Sequence, residues 1–270
     1  MRKRILAAAL CAVTAISLTG CGKEETSAPA NTNNSTANAV TSTPTTAPTA
    51  EDTNNSAAQT SDTNTESKPE GPIIEWIDAS EDDFDCRSYE NGVEIAAYKG
   101  AGGAIRIPAT INGKQVLSIG EKAFYEAKTV TNVEIPNGVT TIGKEAFRLC
   151  KELESISLPG SVTTIEYSAF GHCNSLGSIV IPDSVTSISA GAFFNCEYLE
   201  SISLPDRMTS IGEQAFYGCK HLTSMVIPDR VTELGHNAFY NCDNLIVKYK
   251  GTEYHPLDND LYAAINRPFT

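Results

Sequence analysis

The chain has 270 residues and a formal net charge of −13 at pH 7. This acidic balance argues against a nucleic-acid-binding protein and against docking of the protein surface on anionic lipid, because both partners are themselves negative. Its eight cysteines never form the Cys-x-x-Cys spacing of a zinc site, so the sequence predicts no metal and no cofactor.

Residues 1–20 are predicted to be an export signal. Residues 2–4 are basic, residues 5–18 are a short apolar run, and small residues follow. The apolar run is too short to span a membrane as a helix. The segment Leu18-Thr19-Gly20-Cys21 resembles a bacterial lipobox, which implies cleavage before Cys21 and attachment of a diacylglyceryl group to its thiol. The alternative is an ordinary secretory signal in which the cysteine carries no lipid.

Residues 21–70 are predicted to be the lipid anchor followed by a disordered tether. The tether is almost wholly Thr, Ser, Asn, Ala and Pro, and Val40 is its only large aliphatic residue. Such a segment buries too little apolar surface to offset the entropy lost on ordering. We therefore expect an exported protein held on the outer face of the bacterial cell membrane through its lipid alone and exposed at the cell surface.

Residues 71–106 are predicted to be an N-terminal cap. Two runs with strand-like composition, separated by glycines, lie within residues 92–101. Together they predict a hairpin that closes the N-terminal edge of the following structure.

Residues 107–250 are predicted to be stacked repeats, because phenylalanine recurs every 23 residues, each time after an alanine. In all copies but the first, a cysteine follows three residues later. A fixed period of this length indicates one supersecondary unit stacked on copies of itself. The phenylalanines are Phe124, Phe147, Phe170, Phe193, Phe216 and Phe239, and the cysteines are Cys150, Cys173, Cys196, Cys219 and Cys242.

One repeat predicts two short strands and a helical turn. Residues 155–158 alternate polar and apolar side chains, as in a half-buried strand. Pro159 ends the strand because it has no N–H to donate. A second strand follows at residues 162–165, with threonine at position 163 facing outward. Residues 166–173 are predicted as a helical turn that places Ala169 and Phe170 in the coil interior.

The repeat Leu-x-x-Ile-x-Ile-Pro-x-x-Val-x-x-Ile-x-x-x-Ala-Phe-x-x-Cys resembles the leucine-rich repeats of BspA-like surface proteins. The resemblance covers about residues 92–250 and implies a β-rich leucine-rich repeat solenoid with capped ends. The leading coil departs from the pattern, since it has a five-residue insertion near Asn112 and carries Ala127 where later coils carry cysteine. Both departures suit a terminal repeat. Residues 251–270 are predicted as the C-terminal cap, in which a turn and a short helix follow the last strand.

The cysteine ladder is interpreted as packing. Equivalent Cα atoms in stacked coils lie about 4.8 Å apart, but their side chains point in parallel, which leaves the Cβ atoms farther apart than a disulfide prefers. Buried thiols that act as small apolar fillers are therefore expected. For Cys86 the sequence leaves open a free thiol and a disulfide across the N-terminal cap.

No catalytic residues are predicted. His172, His221 and His236 occupy three different phases of the repeat, so they do not stack into a cluster. The repeat phases pair no histidine with a serine as its general base, so the sequence does not predict a Ser/His/Asp arrangement. The chain is expected not to be an enzyme.

Binding is the predicted function, and the outward face of the first strands is its predicted location. This face is expected to be small and weakly polar, without aromatic or arginine side chains. A rival face is the helical turns, which carry exposed aromatic residues. The predicted outward residues are Asn132, Glu134, Ser155, Ser157, Ser178, Val180, Ser201, Ser203, Ser224 and Val226.

The family resemblance implies adhesion to a protein or glycan. The acidic charge predicts no nucleic-acid partner, and the lipid anchor is the one membrane contact expected. The alternative is a structural protein of the envelope that ties the membrane to the cell wall or to partner lipoproteins.

Overall fold

Each 23-residue repeat forms one coil, and about seven coils stack into a β-solenoid. The computed structural model describes residues 74–255 and 259–266, which belong to the compact unit Glu66–Thr270. The predicted signal peptide, Cys21 and the tether lie outside the described residues. The predicted fold class, a leucine-rich repeat solenoid, is confirmed.

The elements are almost all short strands, apart from a 3-10 turn at Glu81–Asp83 and one helix. In chain order they are β1 (Trp76–Asp78), β2 (Phe84–Ser88), β3 (Val93–Tyr98), β4 (Gly103–Arg106), β5 (Thr110–Ile111), β6 (Lys114–Ile119), β7 (Val130–Glu134), β8 (Thr141–Ile142), β9 (Ser155–Ser157), β10 (Thr164–Ile165), β11 (Ser178–Val180), β12 (Ser187–Ile188), β13 (Ser201–Ser203), β14 (Ser210–Ile211), β15 (Ser224–Ile227), β16 (Glu233–Leu234), β17 (Ile246–Tyr249), β18 (Thr252–Tyr254) and α1 (Asn259–Ile265).

The first strand of each coil enters a parallel sheet, here called the main sheet. Strands β1, β4, β7, β9, β11 and β13 pair in that order. Strand β15 contacts β13, and β17 and the antiparallel β18 continue from β15. Ser155, Ser178 and Ser201 stand in register. Equivalent side chains therefore form columns, with one residue every strand spacing of about 4.8 Å.

The second strand of each coil forms a second set of parallel strands. Strands β3, β6, β8 and β10 pair in that order, as do β12, β14 and β16. Threonine at the predicted outward position is exposed, and Thr163 Oγ1 donates to Thr140 O at 3.2 Å in the preceding coil. The insertion in the leading coil is the hairpin β5–β6. Asn112 and Gly113 at its tip both have positive φ, as the favoured two-residue hairpin turn requires.

The segment predicted as a helical turn is instead a succession of tight turns. In one coil Arg148 N donates to Glu145 O at 3.1 Å, while Phe147 N donates to Ala169 O of the next coil at 2.8 Å. The residues two before and two after the phenylalanine, Glu145 and Leu149, are left-handed, with φ of 56° and 64°. A continuous helix would satisfy all these N–H groups within the coil. The left-handed residues turn alternate N–H groups toward the next coil, so the third side of the solenoid is also hydrogen-bonded from coil to coil.

The phenylalanine ladder is the centre of the core. All six rings are at most 1% exposed, and neighbouring rings stack with centroids 4.7–5.7 Å apart. Burial of each side chain contributes about 1.5–3 kcal/mol. Because every coil adds one ring, this term grows with the length of the stack.

The cysteine ladder has a role beyond filling space. Each thiol is free and buried, and it donates to the carbonyl of the phenylalanine in the preceding coil. Cys150 Sγ lies 2.9 Å from Phe124 O, and Cys173 Sγ lies 3.1 Å from Phe147 O. The later thiols repeat the contact. Cysteine thus combines small apolar volume with a weak donor. Cys86 is free and half-buried.

The N-terminal cap is a hairpin, but the prediction that it lies within residues 92–101 is wrong. Strand β3 pairs antiparallel with the earlier strand β2, whereas β4 belongs to the main sheet. This pairing brings Phe84 and Tyr98 over the end of the ring ladder. Tyr98 stacks on Phe124 at 4.9 Å, and Phe84 contacts Tyr98 at 5.5 Å. The hairpin β2–β3 therefore covers Phe124, the first ring of the phenylalanine ladder.

The C-terminal cap holds the last edge of the second set of strands through one amide. Asn266 Oδ1 accepts from Leu234 N at 2.7 Å, and Asn266 Nδ2 donates to Leu234 O at 2.9 Å. Leu234 ends β16, the final strand on that side. The side-chain amide therefore takes the place of the peptide group that a further coil would supply, which blunts an edge open to other chains.

Candidate ligand-binding surfaces

The outward face of the main sheet carries all ten predicted binding-face residues. Nine of them are exposed or half-buried, but Asn132 is only 4% exposed. Its Nδ2 donates to Ser155 Oγ at 2.7 Å. Asn132 therefore supports its neighbour and presents little surface of its own.

The central part of this face is a flat strip of small side chains. Strands β9, β11, β13 and β15 together carry five exposed serines. Val180 and Val226, on the same face, are 70% and 66% exposed. Covering exposed aliphatic side chains removes apolar surface from water, which is favourable. The strip is therefore suited to contact with another flat surface.

The N-terminal end of the same face carries an aromatic ring and an arginine. The prediction that this face lacks both kinds of side chain is therefore wrong there. Strand β1 pairs with β4, and β4 pairs with β7, so Asp78, Arg106 and Glu134 stand in one register. The Arg106 guanidinium lies 5.1 Å from the centroid of the Trp76 ring. Its Nε donates to Glu134 Oε2 at 3.0 Å, and its Nη1 lies 3.5 Å from Asp78 Oδ1. We call Trp76, Asp78, Arg106 and Glu134 the Trp76–Arg106 cluster.

The repeat pattern predicts the position of Arg106 in this cluster but not that of Trp76. Arg106 directly precedes Ile107-Pro108, as Glu134 precedes Ile135-Pro136, so its phase on the strand face follows from the repeat. Trp76 lies outside the repeat and reaches the face only because β1 adds to the edge of the main sheet. Trp and Arg are the residues that most often dominate binding energies at interfaces.

A groove of about 560 Å³ runs beside the cluster, where the main-sheet strands end. Its lining includes Asp78, Arg106 and Glu134 together with the prolines at 108, 136 and 159. The ion pairs of the cluster are solvent-exposed, so they contribute little to stability. Their groups are free to exchange partners when a ligand enters the groove.

The turn surface, the rival face of the prediction, carries a column of rings. Phe194 stacks on Tyr217 at 4.8 Å, Tyr217 stacks on Tyr240 at 5.4 Å, and His172 meets Phe194 edge-on at 5.3 Å. Because these rings cover one another's faces, they present mainly edges and hydroxyl groups to solvent. Burial and the nearby Arg148 lower the pKa of His172, so its ring is neutral at pH 7.

The described residues hold no arrangement typical of catalysis. Within residues 74–255 and 259–266, no group of three His, Cys, Asp or Glu side chains is placed to hold a metal. His221 uses Nδ1 for a 2.8 Å contact with Glu197 O and stacks on Tyr198 at 4.6 Å. Burial raises the pKa of Cys150 and Cys196 to about 12. These thiols are protonated at neutral pH and are therefore poor nucleophiles.

Burial, together with the carboxylates of Asp85 and Glu81, also raises the pKa of the half-buried Cys86. Within the part of the chain that the structure describes, no helix is long and apolar enough to cross a membrane.

Comparison with known proteins gives a consistent result. Residues 117–246 match the model of the BspA type leucine rich repeat region in six copies. A leucine-rich repeat protein from T. pallidum is 32% identical, with a TM-score of 0.62, and the match covers 65% of this chain and 83% of that chain. A leucine rich cell surface protein from Faecalibacterium prausnitzii is 30% identical, with a TM-score of 0.55, covering 71% and 58%.

The pneumococcal vaccine antigen PcpA, at 22% identity and a TM-score of 0.53, covers 62% of this chain and 48% of its own and shares the fold. No curated protein matches the chain.

Proposed function

Because the chain belongs to the BspA-type leucine-rich repeat family, we propose that it is an exported surface protein whose main-sheet face binds a protein or glycan outside the cell. The observation that carries the proposal is the Trp76–Arg106 cluster at one end of a flat, small-side-chain strip. Interfaces commonly combine a few large anchoring residues with a surrounding surface that excludes water. The solenoid fold is typical of interaction scaffolds, and the description of the F. prausnitzii protein as a cell surface protein supports the same location.

The proposed contact uses two parts of the face in different ways. Trp76 and Arg106 supply large area and a planar, charged group, while the groove beside the prolines receives a protruding side chain or sugar of the ligand. The serines and valines of β9–β15 then lie against the rest of the ligand. Adhesion to a host or neighbouring cell is the proposed outcome.

Simultaneous Trp76→Ala and Arg106→Ala substitution is expected to weaken saturable binding by about tenfold or more. The measurement uses the purified chain against three surfaces: extracellular matrix, peptidoglycan sacculi and intact cells. Tyr240→Ala, on the turn surface, is the matched control and should bind as wild type. Equal binding by the double variant and the control would refute the role of the cluster. Binding to sacculi alone would replace adhesion by the alternative of a structural envelope protein.

We also propose that Cys21 carries the lipid that holds the protein at the membrane. The motif Leu18-Thr19-Gly20-Cys21 supports the proposal. Cys21→Ser is expected to release the protein from the membrane fraction of the producing cell and to abolish incorporation of an alkyne-labelled fatty acid. Cys86→Ser, a cysteine outside the motif, is the control and should stay labelled and membrane-bound. If the Cys21→Ser chain still takes up the label, the attachment site lies elsewhere.

A further inference from the structure

A notch of about 330 Å³ opens on the turn surface between the coils of Phe147, Phe170, Phe193 and Phe216. It is lined by Arg148, Tyr167, Gly191, Phe194, Glu213 and Gln214, among others. We call it the turn-surface notch. Its volume is near the lower end of pockets that hold small ligands, and it lies on a different side of the coil from the main-sheet face.

Two successive coils have a glycine on the turn surface, and one of these glycines, Gly191, lines the notch. The residue after each core phenylalanine is large in the other coils (Tyr125, Arg148, Phe194, Tyr217 and Tyr240), but it is Gly171 in the coil of Phe170. A Cβ at Gly171 would lie 2.3 Å from Ser168 Oγ, so a side chain at this position would require that hydroxyl group to move. A Cβ at Gly191, which has a φ of 61°, would lie 3.8 Å from Phe194 Cβ and 3.9 Å from Tyr167 Cε2. A Cβ on Gly191 would therefore contact both side chains.

The notch exposes one aromatic ring that the stacked column does not use. Tyr167 is 51% exposed and lies beside Gly191. Tyr217, by contrast, is covered by Phe194 on one side and by Tyr240 on the other. Tyr167 therefore has ring surface to offer to a ligand, which the stacked rings lack.

The polar groups of the notch are held in place but incompletely bonded. Within residues 74–255 and 259–266, Arg148 Nε is the one buried side-chain nitrogen or oxygen without a hydrogen-bond partner. Its guanidinium is otherwise held by Glu145, at 3.7 Å. A small rotation of the guanidinium offers N–H donors to a ligand without breaking a short hydrogen bond.

Glu213 and Gln214 complete the polar lining of the notch from the fourth coil, that of Phe216. Glu213 O accepts from Gly191 N at 2.8 Å, and Gln214 N donates to His236 O at 3.0 Å, so backbone bonds fix both residues. The notch thus presents donors from Arg148 and Gln214 and acceptors from Glu213 and Gln214 around one ring.

We propose that the turn-surface notch binds a single sugar residue of a glycan. Tyr167 packs against the apolar C–H face of the sugar, and Arg148, Glu213 and Gln214 hydrogen-bond its hydroxyl groups. The hydrogen-bonding groups that line the notch favour a sugar over an aromatic side chain of a protein. An aromatic ring in the notch would cover the half-buried Arg148 without giving its guanidinium a hydrogen-bond partner, which carries a desolvation cost. A sugar hydroxyl both donates and accepts, so it matches the guanidinium, the carboxylate and the amide.

The test uses saturation-transfer NMR on the full chain with free glucose, galactose, mannose and N-acetylglucosamine, each at about 20 mM, a range suited to weak binding. At least one sugar should receive saturation, and Tyr167→Ala should weaken its binding by about tenfold. Ala190→Phe, which adds a ring to a residue that lines the notch, should abolish the signal in a chain whose circular dichroism is unchanged. Tyr198→Ala removes a tyrosine that is 55% exposed but lies outside the notch, and it should bind as wild type.

Three results would overturn the proposal. The first is the absence of saturation transfer to all four sugars. The second is an equal loss of binding in Tyr198→Ala and Tyr167→Ala. The third is binding at Tyr167 by N-acetyltyrosine amide in place of the sugars, which would assign the notch to a protein partner. None of these results bears on the main-sheet face, because its variants are measured separately.

Discussion

Phe193→Ala is expected to lower the free energy of unfolding by about 3–5 kcal/mol. The Phe193 ring is fully buried and stacks on Phe170 and on Phe216, with centroid distances of 5.4 Å in both directions. Its removal loses two ring contacts and leaves a cavity between coils that cannot collapse, because backbone hydrogen bonds fix the coil spacing. For a domain of ordinary stability, about 5–15 kcal/mol, this is a large fraction.

The measurement is urea-induced unfolding, followed by circular dichroism and by fluorescence of Trp76, the one tryptophan of the chain. Circular dichroism reports the whole solenoid and Trp76 its N-terminal end. A weakened interface in mid-stack is therefore expected to separate the two transitions, because each coil contacts only its neighbours. Phe194→Ala is the matched control. Its half-buried ring is the next residue in the chain, and its loss should cost about 1 kcal/mol. Equal losses in the two variants would contradict a core built on the inner ladder.

The second large effect is a steep loss of stability at alkaline pH. Burial raises the pKa of Cys150 and Cys196 to about 12, and it raises the pKa of Cys173 and Cys219 well above the usual thiol range. An unfolded thiol has a pKa of about 8.5. Below this value the thiol is protonated in both states, and stability is independent of its ionisation. As the pH rises above 8.5, the unfolded chain releases protons that the folded chain retains, so the free energy of unfolding falls.

The expected slope reaches about 1.4 kcal/mol per pH unit for each of the four thiols. At pH 10 each thiol has therefore cost about 2 kcal/mol, and the sum is comparable with the whole stability of a typical domain. We expect unfolding near pH 10, measured by urea titrations at steps of pH between 7 and 10 in the presence of a reductant. Burial also raises the pKa of Tyr98 and Tyr262, but a tyrosine ionises near pH 10 or above, so its effect begins beyond this window.

Cys196→Ala is the control for the alkaline effect. The small cavity that it leaves lowers stability at every pH. Above pH 8.5, however, the free energy of unfolding should fall less steeply, by the contribution of one thiol, about 1.4 kcal/mol per pH unit. A flat profile between pH 8.5 and 10, or a slope unchanged in Cys196→Ala, would show that the ladder thiols are not held in the protonated form.

The sequence by itself determined the coil and its interior. The buried Phe147 and Phe170, the strand Ser155–Ser157 that precedes Pro159 and the inward Ala169 all lie where the repeat predicts. The prediction succeeds because each coil packs against copies of itself. Equivalent residues therefore have the same environment in every coil.

Only the tertiary structure decided how the turns run and how the ends close. Glu145 and Leu149 adopt left-handed backbone although neither is a glycine, because hydrogen bonds to the next coil outweigh the cost for a single residue. The side-chain amide of Asn266 closes a strand edge 32 residues away, and no repeat phase leads to that contact.

The candidate sites divide along the same line. The serines and valines of the main-sheet face follow from register alone, since each occupies an outward position of a repeated strand. The Trp76–Arg106 cluster needs β1 to join the main sheet from outside the repeat, and the turn-surface notch needs Arg148, Tyr167 and Glu213 from three different coils. Periodicity specifies what is the same in every coil. A specific site depends on what differs between coils, and stacking alone decides which of those differences become neighbours.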